Sequence, residues 1–295
     1  MNSSLLAGTY VVATSGGVDS MVLLDMLRRQ PQLQLIVAHY DHGMRPDSSK
    51  DRQLVQDISK KYALPFIHDY GNLGSDASED VARKARYDFL HRVRTASGAR
   101  AIVTAHHKDD VIETAVMQLL RGTGRKGLSS LTSQPLIERP LLHMSKGDIH
   151  NYAKQQGIIW REDITNEDTK YLRNYIRHVV LPKLTDEQKD QLHKLMLKMR
   201  QVNSEIDQIL DIALHVQPSR KSISRSWFLS LPHSVAMEVM AHWLRGHEVK
   251  GFNKKQLEKL VIGAKTLSPN QQVDINKQYV LKVTSGLLAL TSRDR

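Results

Sequence analysis

Six residues, Ser15, Gly16, Gly17, Val18, Asp19 and Ser20, set two adjacent glycines, two hydroxyls and a carboxylate between an apolar run and a segment of helical period. Adjacent glycines let the backbone turn sharply and approach a ligand. The first turn of a helix leaves amide N–H groups unpaired and facing outward. Together they suit a phosphate, the plainer alternative being a strand-to-helix turn capped by Ser15. A second stretch, AHYDHGMR from Ala38 to Arg45, supplies His39, Asp41, His42 and Arg45. A third, Thr104 to Leu128, holds His106, His107, Asp109, Asp110 and Glu113. On a helix His107, Asp110 and Glu113 share a face, which suits a cation, either Mg²⁺ or a substrate ammonium. A capping box of Asp110 and Glu113 is the plain alternative. The same stretch ends in a basic loop, Arg121 to Gly127, whose Arg121 and Arg125 suit phosphates. A fourth, Arg161 to Leu184, places Arg173 and Arg177 four residues apart beside Asn174, a guanidinium pair suited to phosphate. A loop capped by Thr165 or Asn166 and a helix ended by Pro182 explain only its outline.

The elements that must position these groups are legible as alternation. Apolar runs at Thr9–Thr14, Leu35–Tyr40, Pro65–Tyr70, Ala101–Ala105 and Leu136–Leu142 are interleaved with helical periods at 18–29, 48–62, 78–97, 110–121 and 145–156. Strand–helix alternation predicts a parallel sheet with right-handed crossovers, and ligands then bind beyond the carboxyl ends of the strands. From 192 to 213 one apolar seam, Leu192, Leu195, Met199, Val202, Ile206, Ile209 and Ala213, predicts a long helix packed on the sheet domain. After a break at Gln217–Ser219 come helices near 232–245 and 253–263 and strands at Gln272–Ile275, Tyr279–Thr284 and Leu287–Thr291. The expected organisation is an α/β Rossmann-like domain over 1–190, a connecting helix over 191–216 and a smaller α+β domain over 217–295.

Composition narrows the chemistry. The 295 residues include no cysteine, which removes disulfides, thiolate metal sites and thiol nucleophiles. No closed set of zinc ligands stands out either. No apolar stretch approaches the ~20 residues that span a bilayer, and Met1–Gly8 lacks the basic start and apolar core of a secretory signal, so a cytoplasmic protein is expected. Of the net charge of +11, residues 216–295 carry 13 Lys and Arg against 5 Asp and Glu. An excess concentrated in 80 residues suits a polyanion such as nucleic acid.

With these stretches in view, the chain resembles the tRNA(Ile)-lysidine synthases. SGGVDS resembles the PP-loop of ATP pyrophosphatases, the adenine nucleotide alpha hydrolase-like fold. DHGMR, AHHKDDVIET with RGTG, RPLL at Arg139–Leu142 and EDITNEDTKYLRNYIR resemble the lysidine synthase set specifically, with the ending near 295 similar to the shorter form. The resemblance implies the reaction: ATP adenylates the 2-position oxygen of the wobble cytidine in a CAU anticodon of isoleucine tRNA, pyrophosphate leaves, and free L-lysine displaces AMP to give lysidine. It also implies ATP and Mg²⁺ as cofactors, with Ser15–Ser20 holding phosphates and Asp19 as Mg²⁺ ligand or proton acceptor. Asp110 and Glu113, with His107 beside them, would receive lysine. His42, Arg45 and His106 would stand near the nucleotide or reacting base. Arg121, Arg125, Arg173, Asn174 and Arg177 would contact tRNA or nucleotide phosphate. A tRNA thiolase shares the loop, but the members of that class use cysteine. A small-molecule ligase needs no basic tail, and a non-catalytic RNA-binding protein consumes no ATP. Homodimer formation is left open.

Overall fold

The computed structural model describes residues 5–43, 48–71, 79–128, 131, 136–162, 172–249 and 252–293. The chain forms two compact units, residues 1–200 and 201–295.

In the first unit the elements run β1 (Gly8–Ala13), α1 (Val18–Arg28), β2 (Leu33–Asp41), α2 (Ser48–Lys61), β3 (Phe66–Tyr70), α3 (Glu79–Ala96), β4 (Ala101–Val103), α4 (Lys108–Leu120), α5 (Arg125–Leu128), β5 (Ile137–Glu138), α6 (Lys146–Gln155) and α7 (Leu172–Tyr175). The strands form one parallel sheet in the order β3-β2-β1-β4-β5. Strand pleating sends alternate side chains to opposite faces. Tyr10 and Val12 of β1 enter a core with Leu23, Leu24 and Leu27 of α1, Val55 of α2 and Ile149 of α6. Val11, between them, packs with Phe89, Leu90 and Val93 of α3. The central strands β1 and β4, covered on both faces, read as continuous apolar runs for that reason, whereas the edge strand β3 has no fully buried residue and carries His68 and Asp69. The order reverses at β1, so the loops leaving β1 and β4 open on a common crevice.

Three expectations need correcting here. The apolar run Leu136–Leu142 gives only a two-residue strand, because Pro140 has no N–H for the ladder; the chain turns instead, with Leu142 N–H donating to the Arg139 carbonyl at 3.3 Å. The helix expected from 110 starts at Lys108. Asp110 rather than Glu113 makes the capping contact, its Oδ2 accepting from the His107 N–H at 2.9 Å. Within the loop expected over Arg121–Gly127, Arg125 already begins the short helix α5.

After α7 the helix widens through a π turn at Ile176–Val180 and tightens into a 3₁₀ turn at Leu181–Lys183. Pro182 cannot donate to the preceding turn, so the regular helix cannot continue. Ile176 and Leu181 pack on Ile112, fastening this segment to α4.

The chain leaves the first unit along α8 (Asp186–His215). Its buried positions include Met196, Asn203 and Leu210, whereas Leu195 and Ile209 are 50% and 64% exposed. The expected seam is therefore only partly used: tertiary neighbours select a stripe displaced from that drawn through the apolar residues. The second unit continues with β6 (Ser222–Ser224), α9 (Arg225–Ser230), α10 (His233–Gly246), α11 (Lys254–Thr266), β7 (Gln271–Asp274), β8 (Tyr279–Val283) and β9 (Leu287–Ser292). Its antiparallel sheet, ordered β6-β9-β8-β7, covers a core that includes Phe228, Met240, Trp243, Leu260 and Leu281. No helix among the described residues is long and apolar enough to cross a membrane.

Candidate active site

The turn from β1 into α1 is folded by its own hydroxyl. Ser20 Oγ accepts from the N–H groups of Ser15 at 3.1 Å and Gly16 at 3.2 Å, and donates to the Gly17 carbonyl at 2.9 Å. Gly16 sits at φ +94°, a backbone conformation that calls for glycine. The Gly17 carbonyl accepts the first helical bond, from Met21, which leaves the first-turn amides of Val18, Asp19 and Ser20 without intrahelical acceptors. Arg161 braces the loop from outside: its N–H donates to the Gly16 carbonyl at 3.0 Å and its Nε to Asp51 Oδ1 at 2.6 Å. Arg161 opens the fourth stretch of the sequence but carries no assigned role there, and nothing in its spacing from Asp51, 110 residues, pairs the two.

Across the crevice, the turn after β4 delivers His107 and the acidic start of α4. His107 is buried; its Nε2 lies 3.5 Å from Asp110 Oδ2 and 4.0 Å from Asp19 Oδ1, and its Nδ1 lies 3.6 Å from Asp109 Oδ2. The loop carboxylate and the helix carboxylates thus face one imidazole. Asp19 also accepts two hydrogen bonds from Lys146 Nζ, at 2.6 and 2.8 Å.

Glu113 is fully buried and accepts from Arg177 Nε at 2.7 Å, Arg177 Nη2 at 2.9 Å and Arg173 Nε at 3.1 Å. The same guanidinium groups approach Asp110 Oδ1 at longer range, 3.4 Å from Arg173 and 3.2 Å from Arg177. Burial alone would raise the Asp110 pKa, but His107, His106 and Arg173 hold it well below the ordinary carboxylate range. Burial likewise opposes charge on Arg177, and Glu113 and Asp110 more than offset it, so its pKa is raised. Groups read as belonging to two ligands, an amine and a phosphate, form one ion-paired cluster. The i, i+4 spacing of the arginines was visible in the sequence; their partners were not.

His106 lies beside this cluster. Its Nδ1 accepts from Arg139 Nε at 3.4 Å and shares a 2.8 Å hydrogen bond with Thr104 Oγ1. Burial lowers its pKa to about 3, so it is a neutral imidazole with its proton on Nε2. The RPLL stretch therefore contributes Arg139 as an orienting group. His42, after β2, packs edge-on to Tyr40 at 5.0 Å, and burial assisted by Arg86 lowers it to about 4. His39 donates from Nδ1 to the Thr14 carbonyl at 2.9 Å, a strut for the strand that feeds the loop. Arg121 is exposed at the end of α4, Arg125 is half-buried in α5, and Asn174 is half-buried beside the arginine pair. Arg45 lies outside the described residues, as do Thr165 and Asn166. Among the described residues no group of three or more His, Asp or Glu is arranged to hold a metal ion by itself.

A parallel sheet whose glycine loop opens at the reversal of strand order defines a doubly wound α/β domain of the kind that binds nucleotides, and residues 3–184 match the PP-loop domain family. The chain belongs to that family. Within it, the chain is similar to curated tRNA(Ile)-lysidine synthases. That of Idiomarina loihiensis is 32% identical over 283 residues, 90% of this chain and 62% of that protein. That of Thermotoga sp. (strain RQ2) is 41% identical over 182 residues, 58% of this chain and 44% of that protein. The chain thus spans under two thirds of these relatives' lengths. Among solved structures, a U34-tRNA thiolase from Methanococcus maripaludis with its 4Fe-4S cluster matches at a TM-score of 0.56 and 17% identity, covering 66% of this chain and 73% of that one. The two share a fold; this chain has no cysteine with which to hold such a cluster.

Proposed function

We propose that this protein is an ATP-dependent tRNA-modifying ligase that joins free L-lysine to the 2-position of the wobble cytidine in isoleucine tRNA with a CAU anticodon, altering its reading from AUG to AUA. The observation that carries the reading is the facing of the PP-loop carboxylate, Asp19, and the acidic start of α4, Asp109 and Asp110, across buried His107. A nucleotide phosphate site and an amine-attracting site then share one crevice, in a chain similar to tRNA(Ile)-lysidine synthases.

The chemistry has two displacements. The cytidine 2-oxygen attacks the α-phosphorus of ATP; that P–O bond forms, the bond to the bridging β-phosphate oxygen breaks, and pyrophosphate departs. The lysine side-chain amine then adds at C2, and AMP leaves with the former 2-oxygen as its phosphate oxygen. The free first-turn amides of α1 hold the phosphates. Among the residues assigned to lysine, Glu113 anchors the arginines through its short contacts, and Asp110, held by them only at 3.2 and 3.4 Å, is the carboxylate whose partners exchange most readily for an ammonium. His42, His106 and Arg45 are assigned to the nucleotide or reacting base, and Arg121, Arg125 and Asn174 to phosphates. Mg²⁺ is commonly held by one or two carboxylates plus nucleotide phosphates, and Asp19 already binds a cationic ammonium through both oxygens; the residues fit such an ion. When bound it would neutralise charge on the phosphates. The exposed lysines of the second unit are assigned to tRNA, and catalysis to the first.

The test is transfer of labelled lysine onto purified isoleucine tRNA bearing CAU, with AMP and pyrophosphate as co-products. Lysine-dependent turnover without RNA would replace this reading with a small-molecule ligase, and tRNA binding with no ATP consumption would replace it with a binding protein.

A further inference from the structure

Lys146 is placed with more care than a surface lysine requires. A capping box fixes the start of its helix: Asp148 N–H donates to Ser145 Oγ at 3.1 Å and Ser145 N–H to Asp148 Oδ2 at 2.9 Å. Its own backbone N–H donates to Asp109 Oδ2 at 2.8 Å, and the Lys108 N–H donates to the Met144 carbonyl at 2.9 Å. The starts of α4 and α6 are thereby fastened together. From that fixed backbone the side chain reaches Asp19 in the first turn of α1. One ammonium therefore stands where three helix N-termini meet, each presenting the positive end of its dipole. That gathering of positive charge attracts anions, and Asp19 and Asp109 are the anions that meet it in the free protein. The Lys146 and Asp19 side chains are 42% and 31% exposed, and pairs that solvent reaches are weak. The contact is one that a stronger ligand breaks.

We propose that Lys146 is a phosphate ligand of bound ATP, parked on Asp19 in the free protein and transferred to the pyrophosphate end of the nucleotide when it binds. The inference rests on the PP-loop reading and adds to it a residue outside the loop. An ammonium with three donors on a flexible stem suits a leaving group whose charge grows as the bond breaks. Asp19, released from Lys146, becomes available to a cation.

The test measures binding of ATP with Mg²⁺, and of adenosine, by calorimetry on the full chain without tRNA. Lys146→Met is expected to weaken ATP at least tenfold and leave adenosine unchanged, and Lys146→Arg to recover part of the loss. In turnover, kcat should fall more than the lysine KM rises. Asp19→Asn, measured without Mg²⁺, should bind ATP more tightly than the wild type, because Lys146 is no longer held back; this arm does not depend on the folding of a Lys146 variant. Equal loss of ATP and adenosine binding in Lys146→Met, or unchanged ATP binding, would overturn the proposal and leave Lys146 as a tether between helices. Failure of the wild-type protein to bind ATP would instead overturn the nucleotide reading beneath it.

Discussion

Replacing Glu113 by glutamine tests the ion-paired cluster where its consequences are largest. The side chain is 1% exposed and receives three hydrogen bonds from Arg173 and Arg177. Glutamine keeps the shape, but one oxygen becomes an NH₂ that faces guanidinium donors, and the balancing charge is gone. Removing one partner of a buried pair costs roughly 3–5 kcal/mol. Here the arginine side chains remain 21% and 32% exposed and keep Asp110 as a second anion, which brings the cost below that range, to about 2–3 kcal/mol. For a unit of this size each kcal/mol lowers Tm by about 2–4 °C, so scanning calorimetry at pH 7 should show the first unit melting about 4–12 °C lower. The loss should persist in high salt, because a buried pair is little screened. A change under about 1 °C would mean that the arginines do not engage Glu113, contrary to the behaviour of buried pairs. The same variant separates structure from recognition. If the cluster also receives lysine, the lysine requirement should rise more than the ATP requirement; a lower Tm with unchanged lysine dependence would make Glu113 a structural hub only.

Asp19→Asn should cost at least ~10²-fold in turnover, as loss of an electrostatic contribution at a reacting phosphate does, with AMP and pyrophosphate remaining the products; ADP as the main product would defeat the PP-loop mechanism. Folded-state pKa values of about 4 for His42 and about 3 for His106 lie below the unfolded value near 6.5. The unfolded chain therefore takes up protons first as pH falls, and stability should decline below pH 6.5, by up to about 1.4 kcal/mol per pH unit for buried His106 and by less for His42, which solvent partly reaches. Denaturant titrations at pH 7 and 5 measure this, and His106→Gln should flatten the dependence. Gly16→Ala forces a side chain into the left-handed region, costing about 1–2 kcal/mol, and should weaken ATP binding; unchanged affinity would show that the loop does not need its turn. Converting the exposed Lys254, Lys255 and Lys259 of α11 to glutamine should reduce the salt dependence of tRNA affinity by about 0.7–0.9 in log–log slope for each phosphate that a lysine no longer neutralises; an unchanged slope would move tRNA binding to Arg121 and Arg125.

What could be read from the sequence, and what could not, follows from the range of the interactions. The alternation of strands and helices was legible because burial on both faces makes the central strands β1 and β4 continuous apolar runs, and the glycine loop because its glycines, hydroxyls and carboxylate are neighbours in the chain. Lys146 carried a local signal, the Ser145–Asp148 capping box that marks the start of α6, but its contact with Asp19 spans 127 residues and left no trace in spacing. Arg173 and Arg177 showed their common face, whereas their partner Glu113 depends on Ile176 packing against Ile112, a fit of shapes that composition does not encode. Charge was the least transferable signal. The basic excess after residue 216 treats every cation alike, yet Arg225 donates to the carbonyls of Thr284 and Leu267, Lys265 donates to that of Leu231, and Arg293 pairs with Asp274. Those groups hold the second unit together. The proposed attraction for a polyanion then falls to cations whose heads stand in solvent, such as Lys254, Lys255 and Lys259 of α11.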